Sequence, residues 1–210
     1  DYYKIEFPWL VNKCEFIPLG VDYNYWKTKQ YPVIPERKHY IVCVGYRKRD
    51  WNTLLKAYNE SNIVEELYLI GNPDIKCENS KVKVLPFIPI SELMAYITNA
   101  KFSVIPLDNF NYSFAQLTLL QQMALGVPIL AADVYAIRDY IKCSNGVISY
   151  TPYDVENLKT KLQELSKLKK TDLKKMGQSS IECTMTVLSE QQMAQRFEKI
   201  CRMLCRGKEI

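Results

Sequence analysis

Histidine and long apolar runs are what this chain has least of. His39 is the one histidine in 210 residues, and the seven cysteines include no CxxC pair, so a zinc or other N/S-ligated metal centre is not expected. No stretch reaches the ~18 consecutive apolar residues of a membrane-spanning helix, and no basic region leads into an apolar run at the N-terminus. A membrane span and a secretory leader are therefore not expected either. No internal repeat is visible. What is present is ordinary globular usage, 48% apolar and 24% charged, which excludes a disordered chain. The length suits one domain or one and a half. The opening, DYYKIEFPWL, starts at Asp1 rather than Met and reads like the middle of a longer protein.

There are 28 Lys and Arg against 23 Asp and Glu, a net charge of +5. Residues 1–35 hold four cations and four anions, residues 36–150 twelve and eleven, and residues 151–210 twelve and eight. The excess thus sits on the last quarter of the chain, where a solvated helical face accounts for it. Aromatic residues make up 12%, with 15 tyrosines, and they follow core positions instead of interleaving with basic ones, so nucleic acid is not an expected partner. The cysteines (Cys14, Cys43, Cys77, Cys143, Cys183, Cys201, Cys205) are odd in number and several lie in apolar runs such as YIVCV. That pattern predicts reduced thiols in an intracellular protein, with Cys201 and Cys205 filling core. His39 reads as a surface or strand-edge residue.

Short apolar runs rich in β-branched or aromatic residues recur at 40–44, 67–70, 82–85, 102–106, 128–131 and 147–150. Between them lie segments with helical spacing, such as Trp51, Leu54, Leu55 and Tyr58. Strands that are continuous apolar runs, alternating with helices, predict a doubly wound, Rossmann-like α/β domain: about six parallel strands with helices on both faces. Further helices are expected over 154–170, 171–186 and 190–205. Residues 1–35, with Pro8, Pro18, Pro32 and Pro35, read as a leading segment that packs on a domain spanning 36–210. Ser91 with Glu92, and Ser113, are expected to cap helices.

In such a sheet ligands lie beyond the carboxyl ends of the strands. The loop after the first strand, GYRKRDW, sets Arg47, Lys48 and Arg49 before a helix start. Arginine forks match phosphate oxygens and a helix N-terminus adds oriented N–H groups, so a diphosphate fits there; a solvated basic loop is the alternative. The loop over 106–115 leads into a helix whose first turn carries Gln116, Leu117 and Thr118, with Gln121 one turn on. Free amides there can hold a second phosphate and Gln121 can bind a pair of sugar hydroxyls, a plain helix cap being the alternative. PFIP, 86–89, can pinch a flat ring between backbone groups, or Phe87 can simply fill core.

These residues in this order resemble the C-terminal half of GT-B fold glycosyltransferases of family 4, the group 1 glycosyl transferases. FIPLGVDYNYW at 16–26 is similar to that family's entrance to its second half, and VGYRKRDWNTLLKAY to its first strand and basic phosphate loop. LYLIGN and VLPFIPISELMAYITNAKFSVIPL resemble its second strand and its base-binding region, while QLTLLQQMALGVPILAADV and IKCSNGVIS resemble its later motifs. The resemblance covers about residues 16–170. It implies a domain that binds a nucleoside-diphosphate sugar, linked to UDP or GDP, for retaining transfer to a glycan, lipid or other acceptor held by a separate N-terminal domain. No metal or other cofactor is implied.

Residue by residue, the resemblance makes Arg49, with Arg47 and Lys48, the group that neutralises the leaving diphosphate. It puts the donor among Gly45, Tyr46, Asn72, Phe87, Ile88, Ser113, Phe114, Ala115, Gln116, Leu117, Thr118 and Gln121. The family commonly carries two glutamates eight positions apart, and counting back from MALG puts Ser113 and Gln121 there. AQLTLLQQ is closer to a polar variant of that motif. Gln121 can bind a ribose diol without the charge-assisted bond of a carboxylate. Losing the first acid leaves a second reading open, a non-catalytic nucleotide-binding or interaction domain of the same fold. The implied location is the cytoplasm, with contact of helix 154–170 with a membrane surface left open.

Overall fold

The computed structural model describes residues 2–29, 31, 39–45, 47–71, 75–110 and 113–205. Strands Tyr40–Val44 (β1), Glu66–Ile70 (β2), Val82–Leu85 (β3), Phe102–Ile105 (β4), Ile129–Ala132 (β5) and Val147–Tyr150 (β6) form one sheet in the order β3-β2-β1-β4-β5-β6. Each described pairing is parallel. The chain winds outward from β1 to β3, returns to β1's other edge as β4, and winds outward again. The point of reversal lies between β1 and β4.

β1, β4 and β5 are buried at every position, which is why their sequences are unbroken apolar runs. Alternate side chains along β1 enter two cores. Ile41 and Cys43 join a cluster with Leu54, Ala57 and Tyr58 of Trp51–Ser61 (α3) and Leu158, Leu162 and Leu165 of Val155–Lys167 (α7). Tyr40, Val42 and Val44 join Met94, Tyr96 and Ile97 of Ile90–Thr98 (α4). Each large side chain so buried contributes about 1.5–3 kcal/mol. Asp50 caps α3 by accepting from the Thr53 amide at 3.0 Å, and Asp154 caps α7 through the Asn157 amide at 2.9 Å.

At the amino end of the strands, Glu65 is a buried carboxylate, 1% exposed. Lys101 Nζ and Ser166 Oγ each donate to it at 2.6 Å, and Lys101 also donates to the Ser166 carbonyl at 2.6 Å. This knot joins the start of β2, the start of β4 and the end of α7.

Gln116–Ala124 (α5) packs against Lys170–Thr186 (α8). Just past the end of α5, the Gly126 carbonyl oxygen lies where a Cβ on Gly177 of α8 would stand, 2.0 Å away. Arg138–Ile141 (α6) precedes β6, and Glu190–Cys205 (α9) ends the described chain with no buried residue. Tyr2–Glu6 (α1), a 3-10 turn over Pro8–Lys13 and Tyr23–Thr28 (α2) make up the leading segment. It is joined to the domain by the Leu19 amide donating to Tyr140 Oη at 2.9 Å and the Val21 amide donating to the Leu188 carbonyl at 2.8 Å. Pro32 and Pro35 lie outside the described residues. His39 is exposed at the start of β1, as expected.

Three expectations are corrected. Cys143, after α6, and Cys183 of α8 form a disulfide, so the seven cysteines are not all reduced thiols; the two are 40 positions apart, a pairing that spacing cannot reveal. Cys201 and Cys205 are exposed and fill no core. The caps expected of Ser91 and Ser113 are also absent. α4 starts after Pro89 with Ser91 inside its first turn, and α5 starts after Ala115, which has no side-chain oxygen to offer.

Candidate functional site

The reversal between β1 and β4 opens a crevice at the carboxyl ends of the strands, and the loops there hold each other. Arg49 and Leu107 form an antiparallel bridge, the Asp50 amide donates to the Pro106 carbonyl at 2.9 Å, and the Asp108 amide donates to the Lys48 carbonyl at 3.1 Å. The turn that allows this uses a left-handed backbone at Gly45 (φ 112°) and at Lys48 (φ 53°). Any side chain at Gly45 would meet Arg49, whose Nη2 lies 2.4 Å from the position of a Cβ.

The three cations of this loop have separate roles. Arg49 is 9% exposed and folds back on the loop: Nε and Nη2 donate to the Val44 carbonyl at 3.2 and 3.1 Å, and Nη1 to the Arg47 carbonyl at 2.9 Å. One N–H remains on each terminal nitrogen. Burial lowers its pKa and nearby Cys43 and Asp108 oppose that, but a guanidinium stays charged at neutral pH. Cys43 beneath it is pushed up to about 12 by burial, against a smaller opposing effect of Arg49. Lys48 Nζ sits 3.6 Å over the Phe110 ring centroid. Arg47 is exposed. Tyr46 and Asn72 lie outside the described residues.

Next along the rim, Phe87 is 68% exposed, with its ring 3.5 Å from where a Cβ on Gly71 would stand; that same point is 3.7 Å from Gly45. The ends of β1, β2 and β3 therefore meet under one aromatic ring. Ile88 is half-buried against the core around β1 and α4. The candidate base-binding loop is thus brought beside the basic loop.

On the other side, Ser113 is exposed, Phe114 and Ala115 are half-buried, and α5 begins from a left-handed Ala115 (φ 64°). Leu117 points outward and Thr118 is half-buried, on a first turn whose amides have no intrahelical partner. Gln116 Nε2 donates to the Ala136 carbonyl at 2.7 Å, joining α5 to the loop after β5. Gln121 is half-buried one turn further on. Sequence reasoning passed over the loop after β5, although it too follows a strand. There Arg138 pairs with Asp133 at 2.6 Å and stacks on Tyr135, 4.7 Å from its centroid. The Asp133 hydrogen bond raises the Arg138 pKa further. Asn109 is held by its amide donating to Tyr153 Oη at 2.8 Å.

The fold is a doubly wound α/β sheet with the basic loop after β1 and the start of α5 after β4, the two strands that flank its reversal point, where such sheets take their ligands. Residues 38–167 match the family model described as "Glycosyl transferases group 1", and the chain belongs to that family. None of the curated proteins compared with it matches. Among solved structures, sucrose-phosphate synthase from Thermosynechococcus elongatus is similar, with a TM-score of 0.74 and 18% identity over 98% of this chain and 56% of that one. WaaG, described as a glycosyltransferase involved in lipopolysaccharide biosynthesis, gives 0.70 and 16% over 92% of this chain and 58% of its own. A TarM variant from S. aureus, described as in complex with fondaparinux, alpha-GlcNAc-glycerol and UDP, gives 0.64 and 13% over 86% and 38%. The chain therefore spans less than two thirds of each of these structures, and at such identities the likeness is one of fold.

Proposed function

We propose that this chain is the donor-binding half of a retaining glycosyltransferase, holding a nucleoside-diphosphate sugar, linked to UDP or GDP, whose sugar passes to a glycan, lipid or other acceptor bound by a domain outside it. The family match over 38–167 carries this reading, supported by the cation loop at the reversal of the sheet. The diphosphate lies between Arg47, the two remaining N–H groups of Arg49 and the first turn of α5; the base lies by Phe87 and Ile88, and Gln121 faces the ribose hydroxyls. As the sugar–phosphate bond breaks, charge grows on the leaving diphosphate, and fixed cations and amides stabilise it without a metal. The active site is the cleft between two halves, so the chain alone turns over donor slowly or not at all.

Calorimetric titration with UDP, GDP and ADP tests the donor site, and no heat with any of them sinks it. In an enzyme containing both halves, Arg49→Ala is expected to lower kcat/KM by at least ~10²-fold. A second reading, a binding domain that keeps the fold without chemistry, is favoured by Ser113 where the family carries an acid and by Arg49 spending three N–H groups on its own loop. Nucleotide binding with no transfer to any acceptor would support it.

A further inference from the structure

β6 leaves the sheet through a tight turn, Thr151-Pro152-Tyr153-Asp154, closed by the Asp154 amide donating to the Thr151 carbonyl at 3.2 Å. The turn leads straight into α7, which Asp154 caps. Proline at its second position and a left-handed third residue are the pattern of a type II turn, whose third place favours glycine or asparagine. Here that place holds Tyr153, at φ 63°. A bulky side chain in this backbone region costs free energy and persists only where its surroundings hold it. Core packing does not offset the cost, since Tyr153 is 55% exposed.

What the side chain does is reach across the rim of the sheet. Its Oη accepts from the amide of Asn109, 44 positions away in the loop after β4, at 2.8 Å. The residues on either side of Asn109 both engage the cation loop. The Asp108 amide donates to the Lys48 carbonyl at 3.1 Å, and the Phe110 ring centroid lies 3.6 Å from Lys48 Nζ. An ammonium held on a ring face keeps its charge for an incoming anion, where an ion pair would cancel it. Lys48 and Tyr153, the two ends of this run of contacts, are both left-handed, and strain of that kind gathers at ligand sites. We propose that Tyr153 is a positioning residue for the donor diphosphate: by fixing Asn109 it sets Phe110, and through that ring it holds the Lys48 ammonium beside the carboxyl ends of β1 and β4. The role rests on the donor reading above; the contacts that suggest it do not.

The test is calorimetry on the whole chain and its variants with UDP, GDP and ADP, alongside thermal unfolding. Tyr153→Phe keeps the ring and removes the acceptor oxygen, and is expected to weaken binding of whichever nucleotide the parent takes roughly three- to tenfold, the usual worth of one hydrogen bond. Its thermal midpoint should hardly move, because water reaches the exposed Asn109 amide. Since the effect runs through a charge, the loss should shrink as salt rises from about 0.05 to about 0.5 M. Tyr153→Asn suits a left-handed backbone but is too short to reach Asn109, so it should bind as weakly while melting no lower than the parent. Affinity in Tyr153→Phe equal to the parent's, a loss that salt leaves unchanged, or affinity and midpoint falling together in Tyr153→Asn overturns this proposal and leaves the donor site standing. No heat from the parent with any of the three nucleotides overturns the donor site and this role together.

Discussion

Glu65 shows what a single residue can be asked to do at the amino end of the sheet. Burial raises its pKa, but the hydrogen bonds from Lys101 and Ser166 outweigh that and hold it below the ordinary carboxylate value. A carboxyl whose folded pKa is depressed stabilises the fold fully above its unfolded value, about 4.3, and loses that contribution as pH falls through the folded value. Glu65→Gln is therefore expected to cost about 3 kcal/mol at neutral pH, because Lys101, 18% exposed at its side chain, loses its counter-charge. The loss should shrink toward pH 3. Urea unfolding of both proteins from pH 7 to pH 3 measures this, and two stability curves running parallel across that range would contradict it.

Among the elements, α8 meets the end of α5 where Gly177 lies against the backbone of Gly126. Alanine favours a helix interior over glycine by about 1 kcal/mol, yet at Gly177 the added methyl would overlap the Gly126 carbonyl, and overpacking costs about 1–3 kcal/mol. The backbone on the other side cannot rotate away as a flexible side chain would. Gly177→Ala is expected to lower the thermal midpoint although helix propensity predicts a rise, and an unchanged or higher midpoint would mean that the two helices slide apart at little cost. The α5–α8 contact also marks the limit of what pattern reveals. β1, β4 and β5 could be read from sequence because burial on both faces makes them unbroken apolar runs. The start of α5 at Gln116 was legible too, but its anchor was not: Gln116 is held through Ala136, a residue brought there by the fold. The same holds at the site: GYRKRDW disclosed its three cations, but not that Arg49 turns inward onto Val44 while Lys48 lies over Phe110.

Across the whole molecule, the Cys143–Cys183 bond closes a loop that takes in β6, α7 and most of α8. Constraining an unfolded loop of that length is worth about 3–4 kcal/mol in the chain-entropy account. Cys143→Ser/Cys183→Ser should therefore lower unfolding free energy by about 2–4 kcal/mol in denaturant titrations, and adding dithiothreitol to the native protein should bring its stability down to that of the double variant. A double variant as stable as the parent would show that α8 is held by packing alone.

The mutual grip of the β1–α3 and β4–α5 loops has a further consequence for how ligands of different size are received. Three backbone contacts make those loops one stiff jaw that is set before any ligand arrives. Opposite them, the α1 segment buries no residue and is held through side chains and a few amides. On the donor reading proposed above, the jaw would set where the diphosphate stops, and room for a larger ligand would have to come from the segment that buries nothing.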